Sequence, residues 1–195
     1  VNQEQHKQDF PEATFILVDQ TNQALQDWAT FHRGRFSLPI IGITGSNGKT
    51  TVKEWLFQLL EEDYRIVRSP ASYNSQIGVP LSILQITPQD QLGIFEAGIS
   101  EADEMQRLAP MIDCTIGLFT NIGTAHAAGF SNRAEKVSEK LKLFEGAEVL
   151  IYCKDHDLIA AAIQQAESST FSWSRQGPAD LSILEIQADG RYTQI

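Results

Sequence analysis

With 195 residues, of which 42% are hydrophobic, the chain can bury one sizeable core, which excludes an intrinsically disordered protein. A net charge of −10 excludes a protein that holds nucleic acid by bulk electrostatics. Only two cysteines occur, Cys114 and Cys153, both in apolar runs, so a disulfide framework is excluded and a reducing, cytoplasmic setting is expected. No apolar run approaches the roughly 20 residues that span a bilayer, and the polar first ten residues are not a signal peptide.

In chain order, residues 1–13 are polar and expected as a mobile arm, and Thr14 to Val18 as a short strand or a linker. Ala24, Leu25, Trp28, Ala29, Phe31 and His32 predict a short helix, with the Trp28 stripe used for packing. Ile40-Ile41-Gly42-Ile43-Thr44 is an apolar strand. It runs into Gly45-Ser46-Asn47-Gly48-Lys49-Thr50-Thr51, after which Val52, Trp55, Leu56, Leu59 and Leu60 recur at helical spacing. Tyr64 to Arg68 predicts a strand, Ser69 to Gln76 a polar loop, and Gly78-Val79-Pro80 the start of a helix. Leu92 to Phe95 is a buried strand ending at Glu96. Ala102 to Ala109 is a helix expected to stop near Pro110. Cys114 to Thr120 is a strand ending at Asn121. Ala134, Val137, Leu141 and Phe144 mark a helix, Val149 to Cys153 a strand, Leu158 to Ala166 a helix and Thr170 to Trp173 a strand. Alternating apolar strands and helices give an α/β fold, a mostly parallel sheet with helices on both faces. From Asp180 the pattern changes. Ser182 to Ile186 and Arg191 to Thr193 flank Ala188-Asp189-Gly190, predicting an antiparallel hairpin.

The strand, glycine turn and helix predict a phosphate-binding loop. Glycines let backbone N–H groups converge on an anion, and the helix start adds free N–H groups and its positive dipole end. Lys49 would reach the β- and γ-phosphates and the Thr50 hydroxyl a magnesium ion. The long form of the motif needs glycine at position 43, where Ile43 stands, so only the short form Gly45 to Thr50 is present. Glu96, at a strand end on the same rim and followed by Ala97-Gly98, which leaves room for a ligand, is read as a magnesium carboxylate in preference to a solvated one. His126, in Asn121-Ile122-Gly123-Thr124-Ala125-His126, is a metal ligand or a solvated imidazole. Lys136, Lys140 and Lys142, with glutamates between them, form at face value a charged helix surface. Asn74 stays open between a turn residue and a site residue.

Taken together, these segments resemble the Mur ligase family, the ATP-dependent amide-bond ligases of peptidoglycan synthesis. The resemblance runs from about Leu38 to Thr193. Thr44-Gly45-Ser46-Asn47-Gly48-Lys49-Thr50-Thr51 is similar to the family's short phosphate loop, which lacks the extra glycine. Asn74 to Leu81, Phe95-Glu96-Ala97-Gly98 and Asn121 to His126 with Gly129-Phe130 resemble segments of the MurF type, the branch that adds D-alanyl-D-alanine. Glu139 to Phe144 resembles the helix that carries a carbamylated lysine, which would fall on Lys140. The resemblance implies ATP and Mg2+ as cofactors, with Thr44 to Thr51 and Asn74 at the nucleotide. Thr50, Glu96, His126 and a carbamate on Lys140 would hold metal, with Lys49, Lys140 and His126 catalytic. The implied substrates are a UDP-muramoyl peptide, activated as an acyl phosphate, and D-alanyl-D-alanine.

The family has three domains. Residues 38–195 are expected as the central ATP-binding one, truncated, and residues 1–37 as an arm or linker from a missing N-terminal domain. The chain is therefore expected to be part of a longer protein and inactive alone. Some members of this type carry a fused alanine racemase, which the resemblance leaves open. Nucleic acid and membrane spans are not expected. The competing readings are a sister ligase such as a folylpolyglutamate synthase, a nucleotide-binding module without catalysis and, disfavoured for want of a lid-like arginine cluster, a P-loop kinase.

Overall fold

The computed structural model describes residues 9–123, 129–164, 168–188 and 193–194. Seven strands form one parallel sheet in the order β2-β3-β1-β4-β5-β6-β7. The strands are β1 (Ile40–Thr44), β2 (Ile66–Arg68), β3 (Leu92–Glu96), β4 (Ile116–Phe119), β5 (Val149–Cys153), β6 (Ser169–Ser174) and β7 (Leu181–Ser182). The helices are α1 (Thr21–Arg33), α2 (Lys49–Leu60), α3 (Gly78–Ile83), α4 (Met105–Ile112), α5 (Arg133–Leu141), continued by a 3-10 turn over Lys142–Phe144, and α6 (Asp157–Ile163).

β1 and β3 are buried at every position. That is why both are continuous apolar runs rather than alternating ones. Successive side chains still point to opposite faces. Ile40 and Phe95 join the larger core, with Ala29 of α1, Val79 and Ile83 of α3, Leu108 of α4 and Val137 of α5. Ile41, Ile43, Leu92 and Ile94 form the smaller core, covered by Val52, Leu56 and Leu60 of α2. Both faces of the sheet are thus clothed by helices, as the alternating pattern predicts.

β1 lies between β3 and β4, with Ile43 paired to Glu96 and Thr44 to Phe119. The phosphate-loop sequence therefore emerges where the connections turn outward in opposite directions, the place where open parallel sheets bind ligands.

Several expectations change. Thr14 to Val18 is no strand and is mostly exposed. α1, inside the stretch expected as arm or linker, is part of the packed unit. Its inward residues are Gln26, Ala29 and Arg33, while Trp28 and Phe31 are 61% and 71% exposed, so the Trp28 stripe is not what packs. Pro110 does not stop α4, which runs to Ile112 and ends at Asp113 in the left-handed conformation, φ 46°. Pro110 and Gln106 lie on the solvent side, where water can satisfy the carbonyl that proline leaves unbonded. The stretch Ser182 to Ile186 is not one strand: β7 stops at Ser182 and extends the parallel sheet. A separate antiparallel pair joins β8 (Gln187–Ala188) to β9 (Thr193–Gln194), and the expected turn residues Asp189 and Gly190 lie outside the described residues. Cys114 and Cys153 are free and buried. Among the described residues no helix is long and apolar enough to cross a membrane.

Candidate functional site

The loop after β1 turns on two glycines with positive φ, Gly45 at 144° and Gly48 at 78°. A Cβ at Gly45 would collide with the Thr120 hydroxyl, so the close approach of loop and β4 requires glycine there. α2 begins directly at Lys49, and Val52 N–H is the first to bond back, to Gly48 O at 2.9 Å. The preceding N–H groups of this first turn have no intrahelical acceptor and are oriented for an anion. Lys49 Nζ crosses the loop to Gly45 O at 3.0 Å. Burial pulls the Lys49 ammonium below its usual pKa; Glu96 opposes this and Lys136 adds to it.

Two of the loop amides are engaged within the protein. Ser46 N–H donates to Asn121 O at 2.9 Å and Asn47 N–H to Asn121 Oδ1 at 3.1 Å. Asn121 Nδ2 returns a bond to Asn47 O at 3.1 Å. Asn121 therefore shapes the loop from the β4 side. The Thr44 hydroxyl, fully buried, donates to Ala97 O at 2.9 Å and braces the strand beneath the loop. Thr51 is exposed on α2.

Glu96 closes β3 with 0% exposure. Three side chains donate to its carboxylate. The Thr50 hydroxyl lies 3.1 and 3.0 Å from the two oxygens, Asn74 Nδ2 is 3.2 Å from Oε2, and Lys53 Nζ is 3.3 Å from Oε1. Asn74 thus lies against Glu96 and lines the cleft beside the loop. A carboxylate beside a hydroxyl is a hard oxygen set that fits Mg2+. Among the described residues no group of three or more His, Cys, Asp or Glu gathers, so a cation here would draw its other oxygens from phosphates and water.

α5 supplies the opposite wall. Asn132 caps it, its Oδ1 accepting from Glu135 N–H at 2.9 Å, while Glu135 reaches back to Ser131 N–H. Lys136 and Lys140, four residues apart, share one face of this helix. Both are 2% exposed, so the charged-surface reading fails for them. It holds for Lys142, which is partly exposed and pairs with Glu139. Burial drives the Lys140 ammonium down to about 7; Lys49 and Lys136 push the same way and Glu104 opposes them. A cleft of about 440 Å³ is lined by Ser46, Lys49, Asn74, Ser100, Lys136 and Lys140, among others. His126, the remaining candidate, lies outside the described residues.

Residues 43–195 match the model of the Mur ligase middle domain. The chain belongs to the Mur ligase family. It is 40% identical over 133 residues to the UDP-N-acetylmuramoyl-tripeptide–D-alanyl-D-alanine ligase of Treponema pallidum, covering 68% of this chain and 29% of that protein. To the ligase of the same name from Bacillus subtilis it is 33% identical over 183 residues, covering 92% of this chain and 40% of that one. The chain therefore spans well under half the length of these relatives. The crystal structure of MurF from Acinetobacter baumannii superposes with a TM-score of 0.81 at 26% identity, covering 88% of this chain and 39% of that chain.

Within this Mur ligase domain, sequence reasoning missed Lys53, Lys136 and Gln76. Lys53 is fully buried beside Glu96. The one local signal for it was a lysine four residues after Lys49, on the same side of the helix. Gln76 joins α1 to the cleft wall: Gln26 Nε2 donates to Gln76 O and Oε1 at 3.1 and 3.0 Å, and Gln76 Nε2 to Glu104 O at 3.0 Å.

Proposed function

We propose that this chain is the central, ATP-binding part of a longer UDP-N-acetylmuramoyl-tripeptide–D-alanyl-D-alanine ligase. The observation that carries the reading is the convergence in one region of the phosphate loop, the buried Glu96 and the buried Lys140, in a Mur ligase chain whose curated relatives bear that name. The reaction takes a peptide carboxylate, phosphorylates it from ATP to an acyl phosphate and lets an amine displace phosphate. The protein's task is positioning and charge neutralisation.

The N–H groups of Gly48 to Thr51 would cradle the phosphates, and Lys49 would leave Gly45 O to follow the transferring group. Thr50 and Glu96 would hold Mg2+, which draws charge from the phosphate oxygens when bound. The Thr50 hydroxyl can turn a lone pair to a cation while still donating its proton to Glu96. Lys140, its ammonium lowered to about 7 and so a neutral amine in a large fraction of molecules at neutral pH, is suited to take up carbon dioxide. Its amine nitrogen would bond the carbon of carbon dioxide and release one proton to water, leaving an anionic carbamate with two oxygen donors. Lys136, on the same helix face, would neutralise that new charge.

The test is ligation by the full-length enzyme that carries this stretch, followed as ATP-dependent joining of D-alanyl-D-alanine to the UDP-muramoyl tripeptide with release of phosphate. Lys49→Ala should lower turnover about 10²–10³-fold with the fold intact by circular dichroism. Incorporation of glutamate or another single amino acid in place of the dipeptide would refute the branch. Undiminished turnover of Lys49→Ala would refute the loop assignment.

A further inference from the structure

The feature left without a role is the buried ammonium of Lys53. It points inward from the first turns of α2 with 0% exposure. Nζ donates to Ser69 O at 2.7 Å, to Ala71 O, and to Glu96 Oε1 at 3.3 Å, with Glu54 Oε1 at 3.2 Å on its outer side. Replacing an isolated buried ion pair with apolar side chains is often neutral or stabilising, so fold stability alone gives no reason to bury this one.

Its partners locate the reason. Ser69 and Ala71 begin the loop that delivers Asn74, and Ala71 holds the left-handed conformation, φ 42°, which is strained for alanine. Ser69 Oγ in turn accepts from Glu96 N–H at 3.3 Å. At the far end of the loop, Gly98 N–H bonds Asn74 O at 2.8 Å, and Asn74 Nδ2 takes the second Glu96 oxygen. The Glu96 carboxylate is thus gripped from both sides. Lys53 holds Oε1 from within the core, Asn74 holds Oε2 from the cleft side, and the Thr50 hydroxyl bridges the two. Without Lys53, Glu96 would lose the contact that sets its rotation, and the 69–74 loop would lose its anchor to α2.

We propose that Lys53 is a positioning residue that fixes the rotation of Glu96 and the course of the 69–74 loop, so that Glu96 and Thr50 present a ready-made divalent-cation site. This rests on the proposed role of Glu96 and goes beyond it by assigning the group that orients it. The three N–H bonds of one ammonium do for this carboxylate what an outer hydrogen-bonding partner does for a metal-binding histidine.

The test is a titration of Mg2+ against binding of a non-hydrolysable ATP analogue, with Lys53→Met, which keeps the length of the side chain and removes the charge. The variant is expected to fold, as read by circular dichroism, and to need about tenfold or more Mg2+ for half-maximal enhancement of its own metal-free analogue binding, in line with the loss of an outer-shell partner. An unchanged Mg2+ requirement would overturn the proposal. No Mg2+ enhancement in the native protein would instead overturn the metal role of Glu96 itself, which separates the two failures. A second measurement needs no mutation. The Nζ resonance of 15N-labelled Lys53, protected from exchange by its burial, should shift when Mg2+ is added to the analogue complex. A resonance that stays in place while Mg2+ binds would also overturn the proposal.

Discussion

Replacing Lys140 with methionine tests the buried amine through stability, independently of any ligand. Lys140 is 2% exposed and its ammonium is pushed from 10.5 to about 7, chiefly by burial. Below pH 7 both folded and unfolded chains carry the proton, and the folded chain bears the full cost of a buried charge. Between pH 7 and 10.5 the unfolded chain holds one more proton than the folded one, so stability rises with pH across that window. At about 1.4 kcal/mol per pH unit the whole interval corresponds to roughly 5 kcal/mol, and the part reached by pH 9 to about 3 kcal/mol. Lys140→Met has no such proton. In carbon-dioxide-free buffer its advantage over the native chain should be largest at pH 6 and shrink by about 3 kcal/mol by pH 9. Urea unfolding followed by tryptophan fluorescence, at matched m-values, measures this directly. Parallel pH profiles for the two proteins would refute the reasoning. Adding bicarbonate at pH 8 should then change the native profile alone, because only a neutral amine captures carbon dioxide.

Two further perturbations probe the frame around the site. Arg33 ties α1 to the end of α4 through Ile112 O at 3.1 Å and Asp113 O at 3.0 Å, also donates to Phe36 O at 2.7 Å in the loop after α1, and is 5% exposed. Arg33→Ala should cost about 3 kcal/mol in urea unfolding, because charged donors to buried carbonyls are among the stronger hydrogen bonds. Asp113→Asn should cost less than about 0.5 kcal/mol, because the Asp113 side chain is 76% exposed and asparagine accepts the left-handed conformation. A loss for Arg33→Ala no larger than that for Asp113→Asn would show that the clamp is idle. Gly45→Ala should weaken binding of a non-hydrolysable ATP analogue by about tenfold or more, because its Cβ strikes Thr120. Gly48→Ala meets open space and should cost only about 1 kcal/mol of backbone strain. Equal binding defects by calorimetry would refute the steric account.

The alternation of strands and helices, and the loop at Gly45 to Thr51, were legible because each depends on residues close together in sequence. Glu96 was legible from its place at a strand end, whereas the roles of Asn74 and Lys140 were legible only through resemblance. Nothing local separates Lys140 from Lys142, yet Lys140 faces the cleft from α5 and is buried, while Lys142, in the 3-10 turn that follows, is partly exposed and pairs with Glu139. On α2 the stripe Val52, Trp55, Leu56, Leu59 and Leu60 suggests a face centred on leucines. The helix instead turns Trp55 and Leu59 outward, at 63% and 74% exposure, and turns Lys53 inward. A buried lysine holds there only because Ser69, Ala71 and Glu96 bring oxygens to it, and no spacing on α2 reports residues 16 to 43 positions away. Pro110 misled for the opposite reason: a rule about hydrogen bonds was applied where water is available to make them.

The strand order also constrains how this protein is made. β1 is buried at every position, yet both of its neighbours are synthesised after it. Thr115, which bonds Ile40 at the foot of β4, follows it by 75 residues. At about 5–20 residues per second, the run Ile40 to Thr44 would leave the ribosome some 4–15 s before its last partner, with the β4 edge unpaired throughout. Such an apolar segment with open backbone groups is what a nascent-chain chaperone binds and what a neighbouring chain on the same polysome can capture. The central placement that puts the phosphate loop between two strand ends thus leaves this segment waiting for its partners during translation.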